Sequence, residues 1–122
     1  MQLLFEKSQE YGTHEGLGLV PGVVTAMEGR IPESLKSPHM GWNQLAFPAE
    51  RSPIFRDLQE GDSVYFVHSF SAVDCDPYVS AWTEYGAPIT AAVQRDNVFG
   101  CQFHPEKSGP VGLKILNAFC KL

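Results

Sequence analysis

Ser63-Val64-Tyr65-Phe66-Val67-His68-Ser69-Phe70 puts Val64, Phe66, His68 and Phe70 on one side of an extended chain and Tyr65 and Val67 on the other. Side chains alternate along a strand, and a run with little charge on either face belongs to a strand buried on both sides. This stretch therefore predicts a strand near the middle of a sheet. Downstream, residues 79–83 and 89–94 are further strand candidates. Arg95-Asp96-Asn97 supplies turn residues before the apolar run at 98–103, and the pair 89–94 and 98–103 reads as a hairpin. Gly109-Pro110 then opens a helix with Val111, Ile115, Phe119 and Leu122 on one side and Lys114, Asn117 and Lys121 on another, suited to packing on the sheet.

Upstream, Val23-Val24-Thr25 follows a glycine-rich loop at 16–22 as a short strand, and residues 39–45 form a weaker one. Residues 1–11 are rich in helix formers and predict a helix, although no Ser, Thr, Asp or Asn stands ahead of them as a cap. About six strands and two helices result, with no complete strand-helix-strand crossover after the first helix. The expectation is part of an α/β fold in one unit spanning residues 1–122, without repeats or linkers.

Composition narrows the function classes. The 122 residues are 43% hydrophobic and 19% charged, with a formal net charge of −5. The nine Lys and Arg residues form no stripe that would follow a phosphate backbone, so nucleic acid is not an expected partner. No apolar run approaches the roughly 20 residues that span a bilayer, and Met1-Gln2-Leu3-Leu4-Phe5-Glu6 lacks the basic start of a signal peptide. A cytoplasmic protein without membrane partners is expected. Cys75, Cys101 and Cys120 are odd in number and widely spaced, which fits reduced thiols.

The chemistry concentrates in Phe99-Gly100-Cys101-Gln102-Phe103-His104-Pro105-Glu106-Lys107-Ser108-Gly109. At a strand end, His104 and Glu106 are two residues apart and share a side. Glu106 is placed to accept a hydrogen bond from one imidazole nitrogen and leave the other as a general base. By itself a His-x-Glu pair at a strand end is more often a surface or loop feature. A zinc reading of Cys101-x-x-His104 lacks two further ligands at close spacing. Strand alternation sets Cys101 on the face opposite His104, and neither Cys75 nor Cys120 is held near His104 by spacing, so all three cysteines read as structural.

Phe-His-Pro-Glu-Lys-Ser-Gly at 103–109 resembles the triad segment of class I glutamine amidotransferases, in their histidine-biosynthesis branch. Three further segments resemble the same branch in the same order: Met1-Gln2-Leu3-Leu4-Phe5-Glu6, Pro38-His39-Met40-Gly41-Trp42-Asn43 and Tyr65-Phe66-Val67-His68-Ser69-Phe70. Ser37 and Ser71 are small departures from that pattern. The resemblance covers nearly the whole chain and implies a flavodoxin-like α/β fold with an added antiparallel sheet. In this family the segment similar to Met1-Gln2-Leu3-Leu4 directly follows a nucleophile elbow, Gly-x-Cys-Leu-Gly. The chain is therefore expected to be the C-terminal part of a single such domain, an incomplete fold lacking the nucleophilic cysteine, the first strands and part of the oxyanion hole.

The resemblance implies a glutaminase subunit that hydrolyses glutamine to glutamate and ammonia. The ammonia passes to the cyclase subunit of imidazole glycerol phosphate synthase, in a heterodimer, and no metal or organic cofactor is needed. His104 and Glu106 would be catalytic. Gln2 and Glu10, on the first helix, and His68, Ser69 and Phe70 would bind glutamine, largely through backbone groups of the last three. Trp42 and, more weakly, Asn43 would face the cyclase. The rival readings are a solvated helix face for Gln2 and Glu10, a core histidine for His68, and, for the whole chain, a catalytically dead module that docks to the cyclase. The 122 residues alone are expected to be inactive, and marginally stable or oligomerising because sheet edges stay exposed.

Overall fold

The computed structural model describes residues 1–32, 35 and 39–122, so the expectations resting on Ser37 and Pro38 lie outside the described residues. Among the described residues nine strands form three sheets. The first sheet orders β2 (His14–Glu15), β1 (Lys7–Ser8), β3 (Val23–Ala26) and β6 (Phe70–Val73), with β1 and β3 parallel and the other pairs antiparallel. β4 (His39–Gln44) and β5 (Ser63–His68) form an antiparallel pair. β7 (Val79–Glu84), β8 (Pro88–Arg95) and β9 (Val98–Cys101) form an antiparallel meander. The β8–β9 hairpin turns at Asp96, which adopts a φ of 54°, a conformation that short polar side chains tolerate.

β5 departs from the expectation of a mid-sheet strand. Among the described residues its hydrogen-bond ladder runs to β4 alone. The other edge is closed by the turn after β9: His104 N–H donates to the Tyr65 carbonyl at 3.0 Å, and Tyr65 N–H donates to Ser108 Oγ at 3.0 Å. Burial on both sides is thus achieved with a folded-back loop in place of a second strand. The alternation itself holds, since Val64, Phe66 and His68 are buried and Tyr65 and Val67 are half-buried. Phe66, Phe55 and Phe103 pack with Leu45, Phe47, Ala91 and Ile115 in the largest core cluster. Beyond β4, backbone bonds join Ala46 and Trp82 in both directions, at 2.8 and 3.0 Å, and so tie β4 to β7.

The predicted first helix is absent. Gln2–Leu4 makes one 3-10 turn without a side-chain cap, and Phe5 is extended with ψ at 174°. Leu17, Gly18 and Val20 N–H groups donate to the carbonyls of Leu3, Phe5 and Leu4, which are therefore unavailable to an α-helix. Phe5 is fully buried in the cluster with Val20, Val24, Ala72 and Val93. An uncapped segment of helix formers has lost to the burial of one aromatic ring, as tertiary packing overrides weak propensity.

The C-terminal helix α1 (Gly109–Cys120) is present, but its inner face is Gly112, Ile115 and Ala118, with Val111 half-buried at its edge. Phe119 and Leu122, assigned to the inner face from the sequence, are 53% and 60% exposed. The helix approaches the core so closely that its contact line follows the small residues: a Cβ on Gly112 would stand 1.8 Å from the Pro105 carbonyl oxygen. The described residues thus form a mixed α/β structure of three sheets and one α-helix.

Candidate functional site

β9 ends at Cys101, and the chain then bends through Gln102 and Phe103 into a 3-10 turn, Pro105–Lys107. Phe103 is 2% exposed, and its ring stands edge-on to Phe66 with centroids 5.8 Å apart. Its anchoring fixes where His104 emerges. Pro105 sets the backbone for the turn, and Ser108 staples it by donating Oγ–H to the His104 carbonyl at 2.6 Å while accepting from Tyr65. Sequence reading gave Ser108 only as part of a motif. Its Oγ is the atom that docks the His104 segment on β5, and a serine two residues after the Glu is a weak signal without that contact.

His104 Nδ1 and Glu106 Oε1 are 2.9 Å apart, so the ring N–H donates to the carboxylate as the spacing implied. The Glu106 carboxyl is held below the usual carboxylate range first by its own backbone N–H and further by His104. With the proton fixed on Nδ1, Nε2 is left as an acceptor, the form a general base requires. The pair sits at a cleft of about 730 Å³ lined also by Met1, Gln2, Glu10, Ser69 and Cys101.

The cleft therefore gathers Gln2, Glu10, His68 and Ser69 around His104 and Glu106, and it does so without the first helix. Gln2 lies in the 3-10 turn and Glu10 in the turn between β1 and β2. Gln2 Nε2 donates to the Phe70 carbonyl at 3.2 Å and to Gln102 Oε1 at 3.0 Å. Gln102 was missed from the sequence, because its role arises from a contact a hundred residues away in the chain. Of Phe70 it is the backbone carbonyl, the acceptor for Gln2, that belongs to this group. The His68 imidazole is 7% exposed, with Nδ1 donating to that same carbonyl at 2.8 Å. Burial pushes its pKa down to about 4, against the opposing pull of that bond.

Cys101 is among the residues that line the same cleft, while its side chain packs against the largest core cluster at the end of β9. Its thiol is pushed up to about 12 by burial and stays protonated at neutral pH. Burial also raises the Cys75 thiol, which contacts Thr90 Oγ1 at 3.8 Å, and Cys120 closes α1 on the surface. Low-pKa thiolates are the nucleophilic ones, and the two buried thiols are held away from that state.

Trp42 is 57% exposed on β4 beside Met40, which is 60% exposed, and Tyr65 meets the indole edge-on with centroids 5.9 Å apart. Asn43 takes part in hydrogen bonds on the inner side of the same strand. Among the described residues no group of three or more His, Cys, Asp and Glu side chains converges as a metal site would require, and no helix is long and apolar enough to cross a membrane.

A family model described as Glutamine amidotransferase class-I matches residues 1–122. The chain is 51% identical to the imidazole glycerol phosphate synthase subunit HisH of Syntrophotalea carbinolica, over 98% of this chain and 59% of that protein. It is 48% identical to the subunit of the same name from Wolinella succinogenes, over 100% of this chain and 60% of that protein. A third, from a Synechococcus strain, is 51% identical over 98% of this chain and 55% of its own length. The chain thus spans about three fifths of the length of the curated relatives it matches.

Proposed function

Because the chain belongs to the class-I glutamine amidotransferase family, we propose that it carries the base and substrate-positioning half of a glutaminase that supplies ammonia to the cyclase subunit of an imidazole glycerol phosphate synthase. The observation that carries this reading is the 2.9 Å contact between His104 Nδ1 and Glu106 Oε1 at a cleft lined by Gln2, Glu10 and Ser69. Identity near 50% to the HisH subunits supports the histidine-biosynthesis branch.

In the proposed reaction a cysteine thiolate attacks the side-chain amide carbon of glutamine. The tetrahedral oxyanion collapses, the C–N bond breaks, and ammonia leaves with the proton that His104 Nε2 has taken from the thiol. Water, deprotonated by the same nitrogen, then hydrolyses the thioester to glutamate. Glu106 keeps the imidazole in the Nδ1–H tautomer and stabilises the imidazolium formed midway. Glu10 is suited to the α-ammonium of glutamine, while Gln2 and the 69–70 backbone shape the pocket for the amide end. No metal or organic cofactor takes part in this scheme.

The nucleophile of the scheme is none of Cys75, Cys101 and Cys120. The chain is proposed to be the C-terminal part of a single domain whose remaining part provides the thiolate, in a cytoplasmic heterodimer with the cyclase. Trp42, Met40 and Tyr65 form the apolar patch proposed to meet that partner, with Asn43 behind it; exposed aromatic anchors are the residues that dominate such interfaces. The same patch is what a catalytically dead docking module would use. Two measurements separate the readings. L-Glutamine titrated into the isotope-labelled chain is expected to shift Gln2, Glu10 and Ser69 resonances, and a docking module would show no such shift. Ammonia release from glutamine is expected to be absent, and turnover surviving replacement of all three cysteines would overturn the mechanism.

A further inference from the structure

Both ring nitrogens of two buried histidines are engaged in one polar chain. His68 Nδ1 is 2.8 Å from the Phe70 carbonyl, His68 Nε2 is 2.9 Å from His39 Nδ1, and His39 Nε2 is 2.7 Å from Asn43 Oδ1. Asn43 Nδ2 in turn donates to the Glu84 carbonyl at 3.4 Å. The chain crosses β4 and β5 from the strand that carries Trp42 to the carbonyl on which Gln2 is anchored. His39 is fully buried, stacked between the rings of Phe66 at 4.8 Å and Tyr85 at 4.0 Å.

Counting protons exposes a conflict. A carbonyl only accepts, so Phe70 requires a proton on His68 Nδ1. With Nδ2 turned to Glu84, Asn43 presents an acceptor and requires a proton on His39 Nε2. The contact between the rings needs one more, which makes three, whereas two neutral imidazoles carry two. Either the pair holds a third proton and a buried positive charge, or the Asn43 amide turns over, gives Nδ2 to His39 and leaves Oδ1 opposite the Glu84 carbonyl. The charged and titratable groups that face the pair are the Arg30 guanidinium, the His104 imidazole and the Tyr85 ring. Arg30 and His104 oppose the extra charge, as does burial. At neutral pH the balance favours two protons and the turned amide, with the weakest contact, at the exposed end, given up.

We propose that Asn43 is a positioning residue of the cleft: through His39 and His68 it fixes the Phe70 carbonyl that anchors Gln2, and the sense of its amide follows the number of protons on the histidine pair. Its consequence for glutamine rests on the glutaminase reading above, whereas the relay itself does not.

The test is imidazole and side-chain amide 15N NMR of the full chain. In the wild type near pH 7, His39 and His68 are both expected in the Nδ1–H form; finding His68 protonated on Nε2 alone overturns the relay without any variant. Asn43→Asp places an acceptor that has no donor to turn. The pair is then expected to keep its third proton, with its titration midpoint raised by about one pH unit or more, a tenfold change in proton affinity, and with the Gln2 amide signals shifted. Unchanged midpoints and Gln2 signals in a folded Asn43→Asp chain refute the proposal. Asn43→Ala removes the end of the chain without adding charge, and is expected to leave both tautomers while moving the Gln2 signals; unmoved Gln2 signals there also refute it. If glutamine fails to shift the wild-type cleft while the tautomers are as stated, the glutaminase reading falls and the relay stands.

Discussion

Acid should unfold this protein through His68. Its imidazole is 7% exposed, gives its Nδ1 proton to the Phe70 carbonyl and takes a hydrogen bond from His39 on Nε2. Burial lowers the folded pKa from 6.5 to about 4, with the nearby His39, Arg30 and His104 acting in the same direction. The unfolded imidazole binds its proton first as the pH falls, so the unfolded state carries more protons throughout this window. Stability is fully present above the unfolded value and is lost as the pH falls toward the folded one. The slope reaches about 1.4 kcal/mol per pH unit, and the whole interval removes roughly 3 kcal/mol, a large share of what holds a domain of this size. The assay is urea unfolding from about pH 7 down to about pH 4, for the wild type and for His68→Asn, whose amide nitrogen overlays Nδ1 and keeps the donor to the Phe70 carbonyl but does not titrate. The wild type is expected to lose roughly 2–3 kcal/mol more than the variant across the interval. Parallel pH profiles would refute the assignment of that proton to His68.

Gly112→Ala should displace α1 from the Pro105 carbonyl, which its Cβ would meet at 1.8 Å, and destabilise the chain by about 2 kcal/mol or more, with His104 and Glu106 resonances shifting in NMR; a neutral change would refute the close packing. On the proposed docking surface, Trp42→Ala should weaken binding to the proposed cyclase partner by at least about tenfold in calorimetry while leaving the unfolding midpoint within error, since the ring is more than half exposed. Iodoacetamide near neutral pH should label Cys120 well before Cys75 and Cys101 by mass spectrometry, because the latter thiols are raised by burial; prior labelling of Cys101 would contradict its placement. Glu106→Gln should leave His104 free to take the Nε2–H tautomer in imidazole NMR, because a neutral amide no longer holds the Nδ1 proton by charge; an unchanged tautomer would show that Glu106 does not set it.

Much of this was legible in the chain before its folding was known. The alternation at 63–70, the Asp96 turn between two apolar runs, and Gly109-Pro110 ahead of a helix are local patterns, and the structure places a strand, a hairpin and a helix there. The His104–Glu106 pairing was equally local, because two residues in one short turn need nothing distant to meet. Where sequence reading failed, the deciding partner was remote. Residues 1–11 had helical propensity and no cap, and the buried Phe5 ring, held against Val24 and Val93, decided against the helix. Apolar periodicity put Phe119 on the inner face of α1, but the backbone of the Pro105 turn admits only the glycine side of the helix. β5 was read as flanked by strands, and its second edge is closed by Ser108 and His104, some forty residues on.

The residue types and short spacings of the sequence by themselves determined the segments of β3, β4, β5, β7, β8, β9 and α1, the pairing of His104 with Glu106, and the family. Local propensity and near-neighbour geometry act within a few residues and are written in the order of the chain. Only the tertiary structure decided that burial holds the Cys101 thiol protonated beside the cleft, that Gln2 meets Gln102, and that two histidines twenty-nine residues apart share a proton between β4 and β5. Those outcomes depend on desolvation and on contacts between distant segments, and neither exists until the core has closed around them.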